Sequence, residues 1–351
     1  MKRILYFSLV VMLILAITLS GCGGGSGGSN PGGGSNPGGG SNPGGGDIGN
    51  NPDNPNPSQK IYVATNKGLS ISTDGGVSFT NKTTADGLGN DIIQAVRVSG
   101  SNVYAATAGG LSISTDGGNS FSNKTTANGL IHNGLYNVRV FNATIYACAN
   151  TGLSISTDGG SSFTSKNIDD GLGAPPVYDV YVSGSTIYAG TFGGFSISTD
   201  GGVSFINKTN ANGLGGNTVY AICVSGSTIY AATTGGLSIS TDGGSSFTNK
   251  TTANGLGSNY VREVIVAGST IYAGTDGGLS ISTNGGVSFV NKTTANGLGY
   301  NVIREISVSG STIYAATSGG LSISTDGGTT FITKTTADGL IVNSVLGITV
   351  N

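Results

Sequence analysis

Beyond residue 60 the chain alternates apolar and polar side chains over short runs, each closed by Gly, Asn or Asp. Alternation at a period of two, bounded by turn formers, predicts half-buried β-strands. One stretch reads as four of them: Ile92–Val98, Val103–Thr107, Leu111–Ser114 and Ser120–Thr125. The segment SxDGGxxF marks their recurrence, with its acidic position at Asp74, Asp116, Asp158, Asp200, Asp242, Asn284 and Asp326, always 42 residues apart. A period of that length built from short strands is a propeller signature, because one four-stranded blade cannot bury both faces alone. No apolar run at helical spacing competes with this reading.

With the strands of a unit named a, b, c and d from the axis outward, the array opens on a b-type strand, Ile61–Thr65, and closes on an a-type strand, Ser344–Val350. The prediction is an all-β, seven-bladed propeller of four-stranded antiparallel blades, closed by pairing the N- and C-terminal strands in one composite blade. Small residues such as Ala105 and Ala106 in strand b suit closely packed blades. Lysine recurs in strand d at Lys82, Lys124, Lys166, Lys208, Lys250, Lys292 and Lys334. On an exposed edge strand such a charge discourages edge-to-edge pairing.

Ahead of the array, Lys2 and Arg3 precede an apolar run from Ile4 to Leu19, the layout of a secretory signal. The run ends in Leu19-Ser20-Gly21-Cys22, which resembles the lipobox of bacterial lipoproteins. That resemblance implies a signal peptide over residues 1–21, acylation at Cys22 and an envelope location. Gly23 stands where inner-membrane retention often uses Asp, so an outer-membrane address is favoured, with the propeller in the periplasm or at the cell surface. Residues 22–59 are near-repeats of GGGSNP that cannot fill a core, and read as a disordered tether reaching about 35 Å. The propeller domain is read as residues 60–351.

Composition narrows the function. Without Lys2 and Arg3 the chain holds 13 basic and 17 acidic side chains, which argues against nucleic-acid binding and against a polybasic membrane anchor. A single histidine, His132, cannot build a multi-histidine metal site, and no metal or cofactor is assigned. Cys148 and Cys223 lie in units two apart, so no disulfide is expected between them and both are read as small buried apolar residues.

The unit Ser72-Thr73-Asp74-Gly75-Gly76-Val77-Ser78-Phe79 and its six copies resemble the Asp-box, or BNR, repeat of sialidases and sortilin-type receptors. The resemblance implies a structural turn away from the active face. Locally, the carboxylate can accept turn N–H groups and the glycines can adopt positive φ. Asn284 keeps the acceptor without the charge, which fits hydrogen bonding rather than metal binding. A second stretch, Gly255–Val266 continuing to Thr275 and Leu279, is similar to sensor propellers of two-component regulators. Those continue into a membrane helix and kinase, so with the chain ending at Asn351 the expectation is sensing or binding without signalling output.

Positions that differ between copies point to a site. Tyr136, Tyr178 and Tyr220 share one register, continued by Arg262 and Arg304, which Glu263 and Glu305 follow directly. The neighbouring d–a loop adds His132, Tyr260 and Tyr300. These ten residues form a candidate binding face at the mouth, although alternation alone leaves open which of them point into it. The alternative is that adjacent Arg and Glu pair between blades while tyrosines fill gaps. A sialidase-like or other glycoside hydrolase is the competing function. The four arginines of the propeller fall in two repeated registers, however, and each Glu has an Arg before it that should hold its pKa low. The reading is a membrane-anchored, non-enzymatic, monomeric propeller that binds or scaffolds a protein or glycan.

Overall fold

The computed structural model describes residues 58–351. The signal segment of residues 1–21, Cys22 and the tether up to residue 57 lie outside the described residues. Among the described residues no helix is long and apolar enough to cross a membrane. From Ile61 to Val350 the chain forms seven antiparallel sheets of four strands, a seven-bladed β-propeller. Blade 2 shows the pattern: a is Ile93–Ser99, b Asn102–Thr107, c Gly110–Ser114 and d Ser122–Lys124. Each strand a contacts the strand a of both neighbouring blades, so these strands form the inner ring and strands d the rim.

Strand d is shorter than the alternation suggests. Ser120 is drawn back onto Asp116, the Phe121 N–H donates to Asp86 O of the preceding loop at 3.1 Å, and Thr125 caps a turn. That turn is a single 3-10 element after every strand d, which the strand pattern did not predict. In the first copy, Thr84–Asp86, the Thr83 hydroxyl accepts from the Ala85 N–H and the Asp86 carboxylate accepts from the Thr83 N–H. Gly87 closes it at φ 94°, where a Cβ would come within 2.2 Å of Phe121 O, so glycine is required. Leu88 follows and is driven into the gap between blades 1 and 2, as its six counterparts are between the later blades.

The hydrophobic core is not one mass but seven seams, one between each pair of neighbouring blades. In one seam Tyr62, Leu69 and Ile71 of blade 1 pack on Ile93, Val96 and Val103 of blade 2. The SxDGGxxF turns sit on the face opposite the d–a loops and brace themselves locally. Asp74 Oδ1 accepts the Val77 and Ser78 N–H groups at 3.1 and 3.0 Å, while the Ser78 hydroxyl donates to Oδ2 at 2.5 Å. Asn284 retains the Ser288 N–H on its Oδ1 at 3.1 Å. The strand-d lysines do more than guard an edge. Lys82 pairs with Asp86 at 3.3 Å and also donates to Asn119 O on the next blade at 3.1 Å, and Lys166 repeats the arrangement with Asp170 and Val203 O.

Blade 1 is composite. Ile61–Thr65 pairs with Val345–Val350 in the register Ile61↔Val350 and Val63↔Ile348, and Lys60 and Asn351 exchange backbone hydrogen bonds at 3.1 and 3.0 Å. Gln59, read as the end of the tether, belongs to the propeller instead. It is buried, accepts the Tyr314 hydroxyl at 2.6 Å and donates to Ser309 Oγ at 2.7 Å. Cys148 and Cys223 are both buried and Cys148 is free, so the two are not joined.

Two stability predictions follow from the seams and turns. Ile348→Ala hollows the seam that closes the ring, where Ile348 packs with Ile61, Val63 and Tyr314, and should cost about 2–5 kcal/mol by urea unfolding. The turn carboxylates are held low: burial raises Asp74, but hydroxyl and backbone donors outweigh it and bring it to about 2, and the Thr330 and Thr329 donors do the same for Asp326. A depressed carboxyl contributes stability above its unfolded pKa of about 3.9 and loses it as pH falls through the folded value. The urea midpoint should therefore fall between pH 4 and pH 2, less steeply when Asp74 and Asp326 are both replaced by Asn.

Candidate functional site

Strand a is irregular at one point in every blade. Its second residue is a bulge: Val177 pairs with Thr191 and Asp179 with Gly190, leaving Tyr178 without an opposite partner. The same shift frees Gln94, Tyr136, Tyr220, Arg262, Arg304 and Leu346. A bulge re-aims its side chain out of the regular alternation. This resolves which side chains face the opening: the second residues rim the mouth, and the third and fifth residues line the inner ring below it.

At the mouth, the sequence-predicted residues come together as an arc. The rings of Tyr136 and Tyr178 lie 5.1 Å apart, Tyr178 and Tyr220 4.9 Å, and Tyr220 and Tyr260 5.2 Å. The Tyr220 and Tyr260 hydroxyls are hydrogen-bonded to each other. Burial, then that bond to Tyr260, pushes the Tyr220 phenol up. The Arg262 guanidinium stands 4.7 Å over the Tyr260 ring and pairs with Asp276 in the b–c turn of its own blade. Arg304 ends the arc. Its guanidinium has one weak hydrogen bond, to Ser318 Oγ at 3.4 Å, and its Nε is buried without a partner. Burial and the neighbouring Arg262 charge lower its pKa.

Below the arc lies a belt of buried charge. Arg139 grips Asp179 with Nε at 2.8 Å and Nη2 at 3.2 Å, and Asp179 also accepts from Asn137 Nδ2 at 2.8 Å and the Ile222 N–H at 3.0 Å. Arg97 reaches across composite blade 1 to Glu305 at 2.5 Å, whose other oxygen accepts the Ile348 N–H at 2.9 Å. Gly347 leaves room for that crossing, since a Cβ there would lie 2.6 Å from Glu305 Oε2. Glu263 is buried in the same belt, and its pKa is raised well above the ordinary carboxylate value, by burial first and then by Glu305.

Several expectations need correction. Neither Glu is held by the Arg before it: the bulge turns Arg262 to Asp276 and Arg304 to Ser318, so Glu263 rises instead of falling. Glu263 and Glu305 belong to the belt and not to the open mouth. His132 is tied into its own loop, Nδ1 accepting the Gly134 N–H at 2.8 Å. Tyr300 is exposed on the mouth face. The sequence reading missed Arg97, Arg139, Asn137 and Asp179 of the belt, and Phe192 and Asp276 of the b–c turns. These turns share the mouth face, because the Phe192 N–H bonds Pro176 O and the Asp276 N–H bonds Tyr260 O. The signal was available: the b–c register reads Asn66, Ala108, Asn150, Phe192, Thr234, Asp276 and Ser318, more varied than the tyrosine register.

No family model matches the chain, and no curated protein does. Solved structures match its fold. The extracellular domain of the putative hybrid two-component system BT4673 from B. thetaiotaomicron aligns at TM-score 0.60 and 18% identity, over 76% of this chain and 36% of that one. The corresponding BT3049 domain from the same organism aligns at 0.53 and 16%, over 82% and 47%. YCF48 bound to D1 peptide aligns at 0.52 and 17%, over 69% and 80%. The chain thus spans about a third of the BT4673 domain's length, and likeness at these identities shows the propeller fold.

The belt predicts a pH signature. A raised carboxyl costs nothing below its unfolded pKa of about 4.3, where it is protonated in both states, and destabilises the fold increasingly as pH climbs toward the folded value. Glu263→Gln removes that burden. Its urea stability relative to the parent should improve from pH 5 to pH 8, and a difference independent of pH would contradict a neutral buried acid.

Proposed function

We propose that this chain is a non-enzymatic binding propeller, held to the bacterial envelope by a lipid on Cys22, that takes a protein or glycan partner on the face formed by its d–a and b–c loops. The observation that carries the reading is the arc from Tyr136 to Arg304, an aromatic and cationic rim built at the bulged register of strand a and the loop beside it. The orientation supports it. Gln59 meets Ser309 and the Gly75 N–H on the SxDGGxxF face, so the preceding segment joins the propeller opposite the mouth. Among its structural neighbours, the extracellular domains of two-component systems support a place outside the cytoplasm, and the peptide-bound YCF48 supports partner binding.

A glycoside hydrolase remains the second reading, because the raised pKa of Glu263 suits a general acid. Its neighbour Glu305 argues against it. One oxygen is held by Arg97 and the other by the Ile348 N–H, which leaves it poorly placed as nucleophile or base.

The test is capture from native envelope by the full chain beside a variant carrying Phe192→Ala, Tyr300→Ala and Arg304→Ala. The first two are exposed, so the fold should survive. A partner retained by the parent and lost by a variant of equal melting temperature is the expected result. Equal recovery by both would remove the mouth from the account. Hydrolysis of a glycan panel that Glu263→Gln abolishes would favour the enzyme.

A further inference from the structure

The mouth offers two chemistries to a ligand, and the geometry has already used one of them. The tyrosine rings pack edge-to-face and tilted against one another, at 65°, 50° and 33° along the arc, the last ring is covered by the Arg262 guanidinium, and two of the hydroxyls satisfy each other. Stacking a sugar needs an open ring face, and the ring beside the arginines, Tyr260, already has the Arg262 guanidinium over it. Arg262 is likewise committed, its charge balanced by Asp276. The belt carboxylates are out of play as well, since Asp179 is gripped by Arg139 and Glu305 by Arg97.

Arg304 is what remains. It is a half-buried cation that forms no ion pair among the described residues, although the Asp276 charge reaches it, and its Nε–H, like that of the paired Arg97, lies inside the protein without an acceptor. A buried donor left unmade is costly, and a guanidinium is shaped to take a carboxylate through two parallel hydrogen bonds. Tyr300, four residues earlier on the same blade, is exposed beside this rim and can cover an apolar neighbour of the incoming group.

Building on the binding-face reading above, we infer that Arg304 is the anchor of a carboxylate subsite, and that the ligand it takes is a polypeptide segment presenting an acidic side chain or its own carboxy-terminus. The ligand carboxylate occupies the place that Asp276 fills for Arg262. As the guanidinium turns toward it, the Nε–H leaves its unsatisfied position. The arc of tyrosines acts as the rigid wall that keeps both arginines at the rim, and it does not itself stack on the ligand.

The experiment follows the arginine Nε–Hε and Tyr300 ring signals of the full chain by NMR during titration with N-acetyl-alanine, N-acetyl-glutamate N-methylamide, glucuronic acid and sodium sulfate. The expected result is a saturable shift of the Arg304 signal with at least one of the two peptide carboxylates, whose comparison distinguishes terminus from side chain. Glucuronic acid should bind about tenfold more weakly or worse. Read on Tyr300, Arg304→Gln should lose about tenfold or more in affinity, and Arg304→Lys, which keeps the charge but not the fork, should fall between. Sulfate shifting the signal as well as the carboxylates do, or no probe shifting it, overturns the subsite. Preference for glucuronic acid overturns the polypeptide assignment in favour of an acidic glycan. In each of these cases partner capture by the mouth can still succeed, so the subsite can fail while the binding face stands. Failure of the parent chain to capture any partner, or equal recovery by parent and variant, with the Arg304 response of the parent intact, would mean the reverse.

Discussion

Everything in this protein depends on a blade being unable to bury its own two faces. A four-stranded sheet of Val, Ile, Leu and Ala must find a second sheet on each side, and the chain supplies it with another copy of itself. The apolar interior is therefore divided into seven seams. The same demand explains the composite blade: without the Ile61–Val350 pairing two sheets would present bare faces to water. It also explains the leucine after each 3-10 turn, which plugs a seam from the loop side. Loops and turns keep one length throughout the array, so the copies differ in single side chains, at the mouth and in the inner ring below it.

The bulge in strand a then converts that limited freedom into two separate layers. Residues adjacent in sequence would ordinarily point to opposite faces of a strand, and one of each pair would be lost in a seam. With the second residue displaced, Arg262 and Arg304 rim the mouth while Glu263 and Glu305 line the ring beneath it. The layers have different physics. At the rim, charges are half in water and are tuned by ring contacts and single partners. In the belt, Asp179 and Glu305 are desolvated and held by an arginine plus a backbone N–H from the next blade, whereas burial and the nearby Glu305 push the Glu263 pKa up. The belt fixes the inner strands against one another and leaves the rim as the adjustable surface.

The fold was legible in the sequence because its cause is periodic: apolar alternation, turn residues and the 42-residue interval all repeat, and the mismatched ends reveal the closure. The tyrosine register was legible for the opposite reason, since a departure stands out against near-identical copies. Phe192 and Asp276 carry the same kind of departure, but in a turn where any residue is tolerated, so no local pattern singled them out. The 3-10 turns were hidden because three residues are too few to show a period, although the Thr-x-x-Asp and Thr-x-x-Asn capping pairs were present.

By itself, then, the sequence determined the seven blades, their strand order and the end that must close the ring, since these follow from local alternation repeated at one interval. It also determined which residues differ from copy to copy. Only the tertiary structure decided what those residues do. Arg97 meets Glu305 across an entire blade, past Gly347, where the absence of a side chain leaves room for the carboxylate. Arg262 turns to Asp276, and Arg304 is left without a carboxylate, because a one-residue bulge rotates both away from the Glu beside them. Adjacency along a strand is a covalent fact. Charge pairing depends on which way side chains point and on which blades the ring brings together.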